Sequence, residues 1–143
     1  MCGFYGIIDF DGKISNKDVN DIENGANLTQ FRGPDDSRLY NDNFICVKFN
    51  RLSIIDLSAQ CQPFISQNKN TILVCNGEIY NYIELKKELS EKNYLFRSEN
   101  DIEVLLHGYE EWGCDLLKKV KGVFSLVIFD KLKKKTILAR DHV

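Results

Sequence analysis

Histidine is scarce in this chain: there are two in 143 residues, His107 and His142. His107 falls inside a helical pattern that ends at Trp112, and His142 is the penultimate residue. Neither lies in a loop suited to activating a thiol, which disfavours a papain-like Cys–His pair. The net charge is −2, so there is no basic excess to suggest nucleic acid or an anionic membrane surface as a partner. The one basic cluster, KLKKK at 131–135, lies between two apolar runs and fits a solvated hairpin tip. No apolar stretch approaches the ~20 residues needed to span a bilayer. The N-terminus has neither the basic nor the apolar region of a signal peptide. The five cysteines, Cys2, Cys46, Cys61, Cys75 and Cys114, form no CxxC and no Cys/His cluster of zinc spacing. Together these absences describe a reduced, cytoplasmic protein with mostly buried thiols and no metal site.

What is present is enough for one domain with one core: 43% of residues are hydrophobic and 28% charged. There is no internal repeat and no low-complexity linker. Phe4–Phe10 reads as a buried strand ending at the turn Asp11–Gly12. Ser15 or Asn16 caps a helix with Val19, Ile22 and Ala26 on one face. FRGPDD (31–36) is a loop, two strands fit 37–41 and 43–49, and RLSIIDLSAQCQPF (51–64) lacks a period and reads as an ordered loop. TILVC (71–75) is a strand that runs into NGEIYNY, followed by a helix bearing Ile79, Tyr82, Ile83, Leu85 and Leu89. A short strand fits 94–97. Asn100 and Glu103 have capping-box spacing ahead of a helix with Ile102, Leu105, Tyr109 and Trp112 on one side. VFSLVIFD (123–130) and TILARD (136–141) form a hairpin, and the almost wholly apolar first strand implies cover on both faces. The pattern is that of a layered, strand-rich protein with two stacked sheets between helices. The chain stops at ARDHV straight after a core strand, so the expectation is a domain cut short at its C-terminal end.

The residue types then permit one coherent chemistry. If Met1 is removed, Cys2 carries a thiol and a free α-amine on one carbon. An α-amine titrates at about 7.7–8.0, so it is partly neutral near pH 7 and can accept the thiol's proton, directly or through a water. Cysteine at position 2 also arises by chance, and alone it decides nothing. In NGE (76–78), the Asn76 amide beside the Gly77 N–H makes a two-donor oxyanion hole, or else a simple strand-to-helix turn. Arg51 can clamp a carboxylate, or form a surface ion pair. Glu78 can hold a cation. Asp101, in the first turn of its helix, can complement the helix dipole or meet an ammonium. One cation and two carboxylates suit a zwitterionic α-amino acid.

These stretches resemble a known family. MCGFYGI, FRGPDD, RLSIIDLS with QPF, NGEIYNYIEL, DIEVLLHGYEEWG, and GVFSLVIFD with ILARD run from residue 1 to 141 in the order of the glutaminase domain of class II glutamine amidotransferases. RLSIIDLS and EVLLHGYEEWG are most similar to the asparagine-synthetase branch. The resemblance implies an α+β, four-layer αββα sandwich of two stacked, mainly antiparallel sheets, the N-terminal-nucleophile hydrolase fold. It implies an enzyme in which Cys2 is the nucleophile, Asn76 and Gly77 form the oxyanion hole, and Arg51, Glu78 and Asp101 bind L-glutamine. It implies one domain over 1–143 that needs no cofactor of its own and passes ammonia to a synthetase domain, and it allows a homodimer.

Two departures stand out. Phe31 replaces a histidine common before RGPD, which removes a loop or interface contact and leaves the catalytic set intact. No SGGxDS-type loop and no GxxxxGK[ST] occurs, so ATP and magnesium belong to a synthetase domain outside these residues. Three rival readings remain. One is a non-catalytic copy of the domain that retains Met1. Another is a relative with a sugar or other acceptor. The third is a hydrolase of penicillin or bile-salt amides, which the Arg51, Glu78 and Asp101 set argues against.

Overall fold

The computed structural model describes residues 2–52 and 61–142. The middle of the stretch read as an ordered loop, 53–60, lies outside them. The described chain forms two compact units, one through Leu52 together with Cys61–Pro63, the other from Phe64 onward.

The first unit holds β1 (Gly3–Ile8), α1 (Asn16–Asn27), a 3₁₀ turn (Gln30–Arg32), β2 (Asp36–Asn41) and β3 (Ile45–Arg51). The strands form an antiparallel sheet in the order β1-β3-β2. β3 is central because its run is the most apolar: Ile45, Cys46, Val47 and Phe49 are all buried. The helix starts at Ser15, whose side chain accepts from the Asp18 N–H while the Asp18 carboxylate accepts from the Ser15 N–H. Ile22 and Ala26, one turn apart, form its buried face. At the helix end the Asn50 side-chain amide donates to the Ala26 carbonyl at 2.9 Å, which ties α1 to β3. β1 departs from the buried strand expected over Phe4–Phe10. It ends at Ile8, and Tyr5, Ile7 and Phe10 are exposed. β1 is an edge strand with one strand neighbour, and the turn begins early because the Asp11 and Gly12 N–H groups both bond Asp9.

The second unit holds β4 (Phe64–Ile65), β5 (Thr71–Ile79), α2 (Tyr82–Ser90), α3 (Glu103–Trp112), a 3₁₀ turn (Gly113–Asp115), α4 (Leu116–Lys119), β6 (Gly122–Asp130) and β7 (Lys135–Arg140). Its sheet is antiparallel in the order β4-β5-β6-β7. Leu73, Cys75 and Ile79 of β5 and Phe124, Leu126 and Ile128 of β6 alternate onto one face. They meet Leu85 and Leu89 of α2 and Leu105 and Tyr109 of α3, the stripes set by helical periodicity. Two mainly antiparallel sheets with helices make this an α+β protein, as the sequence leads one to expect. Among the described residues no helix is long and apolar enough to cross a membrane.

Three local expectations need correction. Residues 94–97 form no strand; Tyr94 and Phe96 instead place their rings 5.3 and 4.9 Å from that of His107. Asn100 and Glu103 form no capping box, because α3 begins at Glu103 and the Glu103 side chain turns back to Arg97 and Ser98. Two-sided cover of β6 holds only for Ile128–Asp130; earlier in the strand Val123 and Ser125 are exposed while Phe124 and Leu126 are buried.

His107 sits on α3 between two carboxylates. Its Nδ1 is 3.1 Å from Glu110 Oε2, and its Nε2 is 3.7 Å from Glu103 Oε1, the distance of an ion pair rather than a hydrogen bond. Burial alone would lower its pKa, but Glu103 and Glu110 outweigh it and raise the value to about 9. Burial would likewise raise Glu103, but His107, Ser98 and the Arg97 N–H hold it down at about 2. The stability from Glu103 is therefore present above its ordinary pKa of 4.5 and lost as pH falls through about 2. That from His107 is full below 6.5 and lost as pH rises through about 9. The expected result is a gap in melting temperature between wild type and His107→Gln that is widest between these limits and closes above the upper one. A gap independent of pH in thermal melts would contradict the ion-pair account.

Candidate functional site

Cys2 immediately precedes β1, and the antiparallel register pairs Gly3 with Asn50. That pairing lays Cys2 against the end of β3. Its Sγ donates to the Leu52 carbonyl at 3.6 Å and accepts from the Leu52 N–H at 3.3 Å. The N–H and the carbonyl of one residue therefore hold the sulfur in place. Cys2 is half-buried, whereas Cys46, Cys61 and Cys75 are buried. Burial raises the Cys46 pKa and, with Asp36 adding to it, pushes Cys61 up to about 12. Neither of those thiols supplies thiolate near neutral pH. Cys114 is exposed and accepts from Lys135 Nζ at 3.3 Å.

Arg51, the last residue of β3, is only 7% exposed. That burial rules out the surface ion pair weighed as its alternative. Its carbonyl accepts from the Asp35 N–H at 3.0 Å, which fastens the FRGPDD loop to the strand end. Gly33 of that loop lies so close that a Cβ would stand 2.3 Å from the Asn50 carbonyl oxygen. Phe31 is 79% exposed, in the 3₁₀ turn.

Asn76, Gly77 and Glu78 lie in the last residues of β5, not in a strand-to-helix turn. The ladder continues through Asn76↔Ser125, Gly77↔Phe124 and Glu78↔Val123, and the turn follows at Tyr80 and Asn81. The strand extends because Gly77 permits β5 and β6 to close up: a Cβ there would lie 2.1 Å from the Val123 oxygen, at φ +156°. The direction of the Gly77 N–H follows from its partner. The Phe124 N–H donates to Asp141 Oδ2 at 2.8 Å, and its carbonyl accepts from the Asp141 N–H at 2.9 Å. Phe124 thus spends its backbone groups on the β7 side. Gly77↔Phe124 is a non-hydrogen-bonded pair, and the Gly77 N–H points away from β6. β4 pairs only with Ile72 and Leu73, so this N–H emerges on a β5 edge without a partner strand among the described residues. The Asn76 amide is half-buried and makes no side-chain hydrogen bond among the described residues. Two donors are therefore available at adjacent positions.

Two residues on, the Ile79 N–H leaves the same edge of β5 and donates to Asp101 Oδ2 at 2.7 Å. Asp101 is not in the first turn of α3 but two residues ahead of it, and it is buried. Burial raises its pKa, the Glu78 charge adds to the rise, and the Ile79 N–H opposes it. The exposed Glu78 directly precedes Ile79 in β5, so the bond from the Ile79 N–H brings the buried Asp101 carboxylate to the strand end that carries Glu78. A cation beside them would relieve both the burial and the repulsion. Among the described residues no three His, Cys, Asp or Glu side chains are placed to hold a metal ion.

Cys2 and Arg51 thus belong to the first unit, and Asn76, Gly77, Glu78 and Asp101 to the second. The resemblance implies substrate contacts from the backbone of the RLSIID stretch, but sequence reasoning missed the hold of the Leu52 backbone on the Cys2 sulfur and the bond of the Ile79 N–H to Asp101. No side-chain pattern advertises such groups; the register of the strands does.

A family model described as a glutamine amidotransferase domain matches residues 1–143. Asparagine synthetase (glutamine-hydrolyzing) 2 of Bacillus subtilis (strain 168) is 41% identical over 143 residues, covering 99% of this chain and 19% of the relative. Asparagine synthetase B (glutamine-hydrolyzing) of Escherichia coli (strain K12) is 34% identical over 145 residues, covering 100% of this chain and 26% of the relative. The chain therefore spans about a fifth to a quarter of the length of these curated relatives. A solved structure of glutamine phosphoribosylpyrophosphate amidotransferase from B. subtilis, complexed with ADP and GMP, superimposes with a TM-score of 0.69 at 18% identity. It covers 98% of this chain and 36% of its own, and shares the fold.

Gly77→Ala is expected to lower unfolding free energy by about 1–3 kcal/mol, the usual effect of overpacking. Gly3→Ala serves as the control, since its Cβ would meet nothing nearer than 3.7 Å. Denaturant melts compare the two. Equal stability of the two variants would show that β5 and β6 do not need glycine at that contact.

Proposed function

The chain belongs to the glutamine amidotransferase domain family, and on that premise we propose that it hydrolyses L-glutamine to glutamate and ammonia with Cys2 as nucleophile. The observation that carries this reading is the Cys2 sulfur held by the Leu52 backbone, one residue along from the buried Arg51.

With Met1 removed, the α-amine of Cys2 takes the thiol proton, directly or through a water. The thiolate attacks the side-chain carboxamide carbon of glutamine. The oxygen of that carbon becomes an oxyanion and receives hydrogen bonds from Asn76 Nδ2 and the Gly77 N–H, worth about 10²–10³ in rate for one such donor. The C–N bond then breaks, the protonated amine gives its proton to the leaving nitrogen, and ammonia departs from a γ-glutamyl thioester. Water attacks the thioester carbon, its proton passes to the α-amine, and the sulfur leaves as glutamate is released. Arg51 binds the α-carboxylate, and Glu78 with Asp101 binds the α-ammonium. The cation meets a buried carboxylate whose burial and repulsion it relieves.

These steps move protons only among the thiol, its amine, water and the leaving nitrogen. We assign the ammonia to a synthetase domain of a longer protein, where ATP and magnesium act and aspartate is the acceptor. The relatives named asparagine synthetases support that assignment, and so does their greater length. A cytoplasmic setting, and a homodimer as its assembly, complete the reading.

Cys2→Ala is expected to abolish glutamine hydrolysis, while His142→Ala retains it; activity in Cys2→Ala ends the nucleophile assignment. Arg51→Lys keeps the charge but loses the two-pronged grip on a carboxylate. It should raise KM about tenfold with kcat nearly unchanged, because a remote contact contributes mostly uniform binding. Mass spectrometry of active protein should find Met1 absent; full activity with Met1 in place removes the α-amine from the mechanism.

A further inference from the structure

We propose that Glu103 is a positioning residue for recognition of the substrate's α-ammonium: its carboxylate folds the 97–102 segment so that Asp101 is fixed beside Glu78. This deepens the glutamine reading and rests on it.

Glu103 is the first residue of α3 and is buried. A carboxylate there ordinarily complements the N–H groups of its own helix. This one reaches backward instead. The Arg97 N–H donates to Oε1 at 2.9 Å, the Ser98 N–H to Oε2 at 2.9 Å, and Ser98 Oγ–H to Oε2 at 2.6 Å. The chain of bonds continues toward Asp101. The Asn100 N–H donates to Ser98 Oγ at 3.2 Å, and the Ile102 N–H to Asn100 Oδ1 at 2.9 Å. Asp101, enclosed by these contacts, accepts from the Ile79 N–H, the residue after Glu78. The segment has no helical or strand ladder to hold it, so its backbone donors are satisfied by side chains. The network is part-buried around the buried Glu103 carboxylate, and removal of that central acceptor leaves several donors unpaired at once. His107 holds Glu103 from the opposite side, with Nε2 3.7 Å from Oε1. Among the described residues no bond of Glu103 leads directly to Cys2, Asn76 or Gly77, so its effect on the site runs through Asp101.

That route makes the role separable from general stability. In Glu103→Gln one oxygen becomes an NH₂ facing N–H donors, and the segment must shift. The full-length wild type and variant are to be assayed on L-glutamine and on glutaramate, the same amide without the α-amino group. The expected result is a fall of about tenfold in kcat/KM on L-glutamine, carried by KM, with glutaramate changed by less than about twofold. Ser98→Ala, which removes one donor to Glu103 and the acceptor for Asn100, should show the same selective loss in weaker form; it carries the test if Glu103→Gln fails to fold. Equal losses on both amides, or a loss on neither, would overturn the positioning role. A wild type that hydrolyses neither amide would overturn the glutamine reading itself, and this inference with it.

Discussion

The pairing of β1 with β3 is the constraint on which the rest depends. Gly3 opposite Asn50 sets which backbone group meets the sulfur of Cys2 and which side chain lies beside it. Register in a sheet has a period of two, so a slip of one residue would turn every side chain of β1 to the other face and move Cys2 away from Leu52. The structure guards the register at several points. Asn50 is bonded to the end of α1, Gly33 is packed onto the Asn50 carbonyl, and the Asp35 N–H closes onto Arg51. A residue just before the first strand has few bonds of its own, so the placement of Cys2 is borrowed from the strand it enters.

The β5–β6 pair imposes a comparable constraint within the second unit. Close approach at Gly77 and Gly122, where a Cβ on Gly122 would stand 2.2 Å from the Glu78 oxygen, lets β5 stay paired with β6 through Ile79. In a continuous strand, alternate N–H groups leave by the same edge. Those of Gly77 and Ile79 therefore share one edge, the first without a partner strand among the described residues and the second taken by Asp101. One backbone alternation thus sets both the donor and the carboxylate that the proposed mechanism uses.

Side-chain periodicity was legible in the sequence, and backbone geometry was not. Cys2, Arg51, Glu78 and Asp101 stand out as candidates by residue type, and the helices beneath the second sheet follow from the periods of Leu85, Leu89, Leu105 and Tyr109. NGE looked like a turn because Asn and Gly favour turns. A strand partner that tolerates no Cβ at Gly77 overrode that local preference. Asn100 and Glu103 had the spacing of a capping box, but Glu103 found better partners in Arg97 and Ser98, which no local window reveals. The α+β class came through intact because apolar alternation reports tertiary cover directly, whereas the turn and cap assignments failed where distant residues decided the outcome.

The central claim is that the first residue of the processed chain supplies both the attacking sulfur and the proton acceptor. A diazo-ketone analogue of glutamine tests it most directly, by alkylating the sulfur that the substrate meets. Peptide mapping should place the label on Cys2 alone, and excess L-glutamine should protect it. Label on Cys46, Cys61, Cys75 or Cys114, or labelling that glutamine does not suppress, would contradict the account.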